Sequence, residues 1–129
     1  MTHRTHQTSI LLKEAGLPQP TPKPGMMFYL DNTLCMLCCT RHGGVEMELQ
    51  AVGSSEKYYP GKEQLSIIGV FAPDLDYITA LLPPGFILEM WDGRHSCKIE
   101  TEETTIRTMA DSFAEAAALV YLELKQKQV

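Results

Sequence analysis

The dipeptide Asp92-Gly93 restricts the fold of this chain more than any other stretch. It separates Phe86–Trp91, which is mostly apolar, from Arg94–Ile99, in which polar residues are mixed with Cys97 and Ile99. Asp-Gly suits a type I′ turn, because both central residues of that turn need positive φ. We therefore predict a hairpin with a two-residue loop, in which Trp91 faces Arg94 across the strands.

The middle of the chain carries the signals of further strands. Phe28–Leu30 and Thr33–Leu37 flank the turn pair Asp31-Asn32, which predicts a second hairpin. After Gly43-Gly44, apolar and polar residues alternate from Val45 to Ala51, as is typical of a strand with one solvent-exposed face.

Two later segments are interpreted from composition. Leu65–Phe71 is short, apolar and β-branched, which favours a buried strand over a helix. The glutamates Glu100, Glu102 and Glu103 precede threonines, and we expect a solvated charged surface leading into a Thr-rich loop.

Three helices are predicted. A short N-terminal helix ends at Gly16, and a middle helix begins at Asp74 and stops before Pro83. The longest helix follows the capping box Ser112–Glu115. Its apolar stripe consists of Phe113, Ala116, Ala117, Val120 and Leu124.

These elements predict an α+β fold. We expect an antiparallel meandering sheet of about five or six strands, with the short middle helix and the long C-terminal helix packed on it. A chain of 129 residues suits a single domain spanning residues 1–129. Within it, residues 1–7 are expected to be flexible, and the Pro-rich segment 17–25 is interpreted as a spacer after the N-terminal helix.

The composition excludes several classes of partner. The net charge of −5 argues against binding to a nucleic-acid backbone, which depends on clustered Lys and Arg. No apolar run approaches the ~20 residues that a membrane span requires, and the N-terminus lacks the apolar stretch of a signal peptide. We expect a cytoplasmic protein, whose four cysteines are thiols rather than disulfides.

The segment Cys35–His42 raises the question of a metal site. Strand alternation turns Cys35 and Cys39 to one face and Cys38 to the other, so the three thiols do not converge on one ion. Pairing through the Gly43-Gly44 turn is expected to set Cys38 level with Leu49 and Cys39 level with Glu48.

We therefore predict no metal and no cofactor, and we interpret these cysteines as small apolar side chains. The alternative is a Cys/His quartet completed by His95 and Cys97.

No motif predicts an enzyme. A catalytic pair of Cys39 and His42 is disfavoured, because a separation of three residues places the two on opposite faces of a strand. The chain also lacks a Gly-rich phosphate loop, G-x-S-x-G and H-E-x-x-H. We therefore expect a non-catalytic protein.

The candidate binding residues are Trp91 and Arg94, with Tyr58 and Tyr59 in support. The hairpin register puts Trp91, the single tryptophan, on the polar side of its strands beside Arg94. Trp and Arg are enriched at binding hot spots. Two structural alternatives remain: the N-terminal helix or the Pro-rich arm covers Trp91, or the ring stacks on Arg94 without a partner.

Two classes of function stay open. One is a binding module for a protein or a small nucleotide-like ligand, acting through an exposed aromatic and basic surface. The other is a structural or assembly subunit that acts as a homo-oligomer.

The layout resembles that of small uncharacterised proteins of bacteriophages and prophages. The residues that carry the likeness are Leu11-Leu12, Leu17-Pro18, Pro24-Gly25, Phe71-Ala-Pro73, the Trp-bearing hairpin and the Ala-rich segment Phe113–Leu119. The resemblance implies an accessory role, in which the protein binds or sequesters a host or defence component or a nucleotide signal.

Overall fold

The computed structural model describes the backbone of residues 2–127 and the side chains of residues 6–127. Two compact units make up the chain, Met1–Ala72 and Pro73–Val129. We call them the N-terminal and the C-terminal unit. The prediction of a single domain stays a prediction, because compactness alone does not show whether the units unfold together.

The predicted α+β class is confirmed. All strand pairs in the described residues are antiparallel, and helices pack on the sheets. The strands form two sheets, one with five strands and one with three, each within its own unit. Within residues 2–127 no helix has the length and apolar character to cross a membrane.

The N-terminal unit consists of two helices and five strands. In chain order they are α1 (Thr2–Glu14), β1 (Met27–Leu30), β2 (Thr33–Arg41), a 3-10 turn (His42–Gly44), β3 (Glu46–Ala51), β4 (Lys57–Tyr58), α2 (Lys62–Ile68) and β5 (Gly69–Phe71). The sheet order is β4-β3-β2-β1-β5.

The buried face of this sheet follows strand alternation. Phe28, Cys35 and Ala51 lie level with one another across β1, β2 and β3. Leu37 pairs with Leu49, and both side chains are fully buried. The predicted hairpin around Asp31-Asn32 is confirmed, since Leu30 pairs with Thr33.

The N-terminal helix starts earlier than predicted. It begins at Thr2, so residues 2–7, expected to be flexible, are helical; Met1 lies outside the described residues. His6 stacks on Tyr29 of β1, with ring centroids 4.5 Å apart. His6 also hydrogen-bonds Asn32, with 2.9 Å between Nδ1 and Oδ1. These contacts hold the first turns of the helix, which the sequence pattern does not reveal.

The prediction of a strand over Leu65–Phe71 is wrong for its first half. Leu65 belongs to α2, and the chain enters β5 only at Gly69. Leu65 is 2% exposed and Ile67 is 78% exposed, so the apolar run is not buried as a whole. Periodicity in a short apolar run does not distinguish a strand from a helix. The segment is helical here because the helix buries Leu65.

A β-bulge changes the predicted register of the cysteines. Leu37, not Cys38, lies level with Leu49, whereas Cys39 lies level with Glu48 as predicted. The register shifts between Leu37 and Cys39, which leaves Cys38 as the extra residue of β2.

The C-terminal unit consists of α3 (Leu75–Thr79), β6 (Ile87–Trp91), β7 (Arg94–Glu100), β8 (Thr105–Ala110) and α4 (Phe113–Lys127). The strands lie in the order β6-β7-β8. Asp74 caps α3 as predicted, its side chain accepting a 2.8 Å hydrogen bond from the backbone N–H of Tyr77.

The expectation of a Thr-rich loop after Glu100 is wrong. The segment Thr105–Ala110 forms strand β8, which pairs with β7 from Glu100↔Thr105 to His95↔Ala110. The threonines favour a strand because they are β-branched, and alternate residues Ile106, Thr108 and Ala110 are buried.

The long C-terminal helix is confirmed and packs on this three-stranded sheet. Ser112 Oγ accepts a 3.1 Å hydrogen bond from the backbone N–H of Glu115, as the capping box predicts. Ala116, Ala117 and Val120 are fully buried against β7 and β8. The helix therefore covers one face of the sheet and leaves the side chains of the other face outside this contact.

Candidate functional site

The hairpin tip holds Trp91 in a fixed register. Asp92 and Gly93 have φ values of 51° and 77°, as the two-residue turn requires. Trp91 lies directly opposite Arg94, and the pairing continues without a shift to Ile87↔Lys98. The predicted register is therefore confirmed.

Strand alternation sorts the side chains of the C-terminal sheet into two faces. His95, Thr108 and Phe113 mark the face under α4: the rings of His95 and Phe113 meet edge to face at 4.6 Å, and the Thr108 hydroxyl donates to the Ala116 carbonyl. The opposite face, which we call the Trp91 face, carries Ile87, Glu89, Trp91, Arg94, Ser96, Lys98, Arg107 and Met109.

Arg107 is the cation that lies against the tryptophan. Its Cζ is 3.9 Å from the centroid of the Trp91 ring, within the range of a cation–π contact. The guanidinium also donates to Glu89 Oε1 at 3.1 Å and to Ser96 Oγ at 3.0 Å. Both hydrogen bonds are made by the same guanidinium nitrogen, Nη1, and together they fix the guanidinium against the indole ring.

The alternative in which Trp91 stacks on Arg94 is wrong about the arginine. The sequence suggested a stack of Trp91 on Arg94, but Arg94 is exposed and the stacked guanidinium belongs to Arg107. Arg107 was missed because its segment was interpreted as a loop. The sequence signal that could have found it is the β-branched content of Thr104–Thr108.

Trp91 is 48% exposed as a residue. Arg107 covers part of the ring, and the remaining surface is solvent-accessible. A hydrophobic ring of this size usually buries most of its area in a core or an interface. The Trp91 face can therefore bind an apolar or planar group.

Tyr58 and Tyr59 lie in the N-terminal unit. The Tyr58 hydroxyl donates a 2.7 Å hydrogen bond to Glu56 Oε2, and this bond is the main cause that raises the pKa of Tyr58 above its usual value. Tyr59 is 47% exposed, and the guanidinium carbon of Arg41 lies 5.5 Å from its ring centroid. Both tyrosines line a shallow open depression with Leu30 and Ile68.

The cysteines fall into two pairs by burial. Cys35 and Cys97 are fully buried, and burial raises the pKa of both thiols. They are therefore poor nucleophiles at neutral pH. Cys38 and Cys39 are partly exposed, and the Cys38 thiol contacts the Met36 carbonyl oxygen at 3.6 Å.

Metal ligation is predicted to be absent, and that stays a prediction. Among the described residues, no group of three or more His, Cys, Asp or Glu side chains is placed to hold an ion. His95, part of the alternative quartet, packs on Phe113 instead. The predicted lack of catalysis is likewise untested; His42 of the disfavoured pair is exposed and has a positive φ of 54° at the start of the 3-10 turn.

Comparisons with protein-family models, with curated proteins and with solved structures find no match for this chain. The resemblance to phage accessory proteins therefore stays a prediction. The geometry of the described residues is the basis for assigning a function.

Proposed function

We propose that this chain is a non-catalytic binding protein and that Trp91 is the centre of its binding surface. The observation that carries the proposal is the half-exposed indole ring, 48% accessible, held by Arg107 on a strand edge. Tryptophan is among the residues that contribute most at interface centres. Covering the exposed part of this ring would release apolar surface from water.

The ring is ordered before any partner arrives. Arg107 is bound to Glu89 and Ser96, and its guanidinium lies against the indole. A side chain already restricted in this way loses less conformational entropy on association, so more of the contact energy remains as affinity.

The charges around Trp91 favour a protein surface as the partner. Arg94 and Arg107 carry positive charge, but Glu89 is paired with Arg107 and Asp92 lies at the adjoining turn. A surface of mixed sign complements another protein better than a polyanion. The resemblance to phage accessory proteins supplies a class of partner, a host or defence protein, and a nucleotide signal is the competing ligand.

The test compares three variants in one capture experiment. Wild-type protein, Trp91→Ala and Arg94→Ala are immobilised and exposed to host lysate. Each captured protein is then purified, and its affinity for the wild-type protein and for each variant is measured. Tyr59→Ala tests the supporting candidate, an aromatic residue of nearly equal exposure, 47%, beside another arginine. Val45→Ala is the control, because Val45 is an exposed apolar residue outside the candidate set. Titration of wild-type protein with nucleotides, followed by Trp91 fluorescence, tests the competing ligand.

We expect Trp91→Ala to weaken binding about thirtyfold, which corresponds to the ~2 kcal/mol typical of a hot-spot aromatic. Arg94→Ala and Tyr59→Ala should weaken it less, and Val45→Ala should leave it unchanged. A partner that binds wild-type and Trp91→Ala equally well would contradict the proposed surface, and saturable quenching by a nucleotide would favour the competing ligand.

Self-association is the second candidate function. Strand β6 is an edge of the three-stranded sheet and exposes three large apolar side chains, Ile87, Met90 and Trp91. Edge strands of this kind can pair with another chain. Light scattering over a range of protein concentrations distinguishes the candidates: an obligate oligomer that dissociates on Trp91→Ala favours assembly, and a monomer favours the binding role.

The proposal places the protein in the cytoplasm and requires no cofactor. All four cysteines are free thiols in the structure, the form that a reducing compartment maintains. Alkylation of intact cells, followed by mass measurement of the protein, tests this: four modified cysteines after unfolding are expected, and a disulfide would contradict the assignment.

A further inference from the structure

A pocket of about 260 Å³ lies beside the Pro-rich arm in the N-terminal unit. The arm provides one wall, and the ends of α1, α2, β1 and β5 provide the others. The lining residues that carry the argument are Lys13, Phe28, Lys62, Leu65 and Phe71.

The arm is held at both ends, so the wall it forms is part of the fold. Leu17 is buried, and its backbone N–H donates to the Leu12 carbonyl at 2.9 Å. At the other end, Gly25 N–H donates to the Leu37 carbonyl at 2.8 Å, and Leu37 N–H donates to Met26 O at 2.8 Å. The prolines between these anchors have restricted φ, which limits the conformations open to the segment. The segment interpreted from sequence as a spacer therefore also shapes a pocket.

The pocket combines an apolar interior with positive charge. Phe28, Leu65 and Phe71 present buried side chains, and the rings of Phe28 and Phe71 lie 5.7 Å apart. Two of the lining residues are lysines, and the lining contains no aspartate or glutamate. This local positive charge stands out in a chain whose net charge is −5.

The two lysines differ in how they are held. Lys13 Nζ donates to the carbonyl oxygens of Gly69 at 3.2 Å and Ser66 at 3.4 Å, which fixes the ammonium group at the C-terminal end of α2. The side chain of Lys62 has no hydrogen bond or ion pair with the other residues whose side chains are described. Its charge is therefore available to a ligand.

We propose that this pocket binds a small apolar carboxylate, such as a single aromatic ring or a short branched chain bearing one carboxyl group. The apolar side chains accommodate the hydrocarbon part, and Lys62, assisted by Lys13, attracts the carboxylate. The volume lies just below the ~300–1,000 Å³ of pockets for drug-sized ligands, which limits the occupant to a small molecule. The proposal does not depend on the Trp91 face, which lies in the other unit.

The test is an NMR titration of the full-length chain with sodium benzoate, followed through backbone amide shifts. Benzamide is titrated in parallel, because it has the same ring and no charge. We expect saturable shifts confined to residues that line the pocket, and weaker binding of benzamide. Benzoate that produces no saturable shifts, or shifts centred elsewhere, would overturn the proposal, and so would benzamide that binds as tightly as benzoate.

Lys62→Gln and Lys57→Gln form a matched pair of variants. Both remove one positive charge from the same unit, but Lys57 does not line the pocket and pairs with Glu48 at 3.8 Å. Lys62→Gln should weaken benzoate binding about two- to fivefold, the range expected for a partly exposed ion pair, and Lys62→Glu should weaken it further.

Lys57→Gln should leave benzoate affinity unchanged. Equal losses in Lys57→Gln and Lys62→Gln would show that the attraction comes from net charge and would overturn the role assigned to Lys62. The amide spectrum of each variant, recorded before the titration, confirms that the variant is folded.

Discussion

The two sheets of this protein differ in regularity. In the C-terminal unit, β6, β7 and β8 pair without a register shift, and each connection is short. In the N-terminal unit, β2 contains a bulge, and the edge strands β4 and β5 have two and three residues. Local turn chemistry determines the β6–β7 hairpin of the C-terminal sheet, whereas the edges of the N-terminal sheet depend on packing between segments distant in sequence.

The two sheets also differ in the size of the side chains that they bury. The N-terminal sheet concentrates large aliphatic side chains, with Leu37 opposite Leu49 at its centre. The C-terminal sheet meets α4 through small residues, Ala110, Ala116 and Ala117, as well as larger ones such as Ile106 and Val120. Small residues allow a helix to approach closely, and large ones fill the space by interlocking.

Truncation in the N-terminal core is the change with the largest expected effect. Leu49→Ala should lower the free energy of unfolding by about 2–5 kcal/mol, because it leaves a cavity opposite Leu37. Val45→Ala is the control, since Val45 is exposed and should change stability little. Urea unfolding is followed by circular dichroism for the whole chain and by fluorescence of Trp91, the single tryptophan, for the C-terminal unit.

The single-domain prediction requires both signals to move together in Leu49→Ala. A fluorescence transition that stays at the wild-type urea concentration, while the circular dichroism transition splits, would show two independently unfolding domains.

The sequence predicts the β6–β7 hairpin of the regular sheet in full, but not the third strand of that sheet. Asp92-Gly93 determines the turn and thereby the pairing of Trp91 with Arg94, and both are local facts. The bulge at Cys38 and the helix that takes up Leu65 depend on which side chain reaches the core, and no local pattern encodes that choice. Strand β8 has a local signal in its β-branched residues, but the glutamates that precede it favour a solvated loop.

Gly69 lies where helix α2 ends and strand β5 begins, and we expect Gly69→Ala to lower the stability of the fold. A Cβ at Gly69 would lie 2.7 Å from both the Leu65 carbonyl oxygen and its Cδ1 atom, so the backbone or the core must shift. We expect a loss of about 1–3 kcal/mol in the free energy of unfolding, as for other overpacked sites.

Gly61→Ala is the control for this substitution, measured by the same urea titration. Its Cβ would meet its nearest neighbour, the Val45 carbonyl oxygen, at 3.8 Å. A loss as large as that of Gly69→Ala would mean that the effect comes from backbone flexibility and not from the close approach.

Helix capping in the C-terminal unit predicts a smaller effect. Ser112→Ala removes the acceptor of the Glu115 N–H and should cost about 1 kcal/mol. Ser112→Asp keeps an acceptor at the same place and should restore most of the loss. Thermal unfolding of the three proteins checks this, and equal stability of Ser112→Ala and wild type would show that the cap does not limit stability.

The candidate site shows what register alone can and cannot predict. Register placed Trp91 and Arg94 on one face, and the structure confirms that placement. It did not reveal that Arg107 from β8 lies on the ring, because that contact joins a strand whose existence the sequence reasoning missed. The prediction of Tyr58 and Tyr59 rests on expected exposure alone, and of the two only Tyr59 is exposed, at 47%.

The smallest expected effect is that of Trp91→Ala on the free energy of unfolding. It tests the central claim, that Trp91 contributes to binding and not to the core. The measurement is the free energy of unfolding of Trp91→Ala beside Tyr59→Ala, by urea titration followed by circular dichroism. Both should lose about 1 kcal/mol or less, because each ring is half exposed and gives up one cation–π contact. A loss of about 3 kcal/mol or more in Trp91→Ala alone, as for a buried aromatic, would contradict the claim and assign the tryptophan to the core.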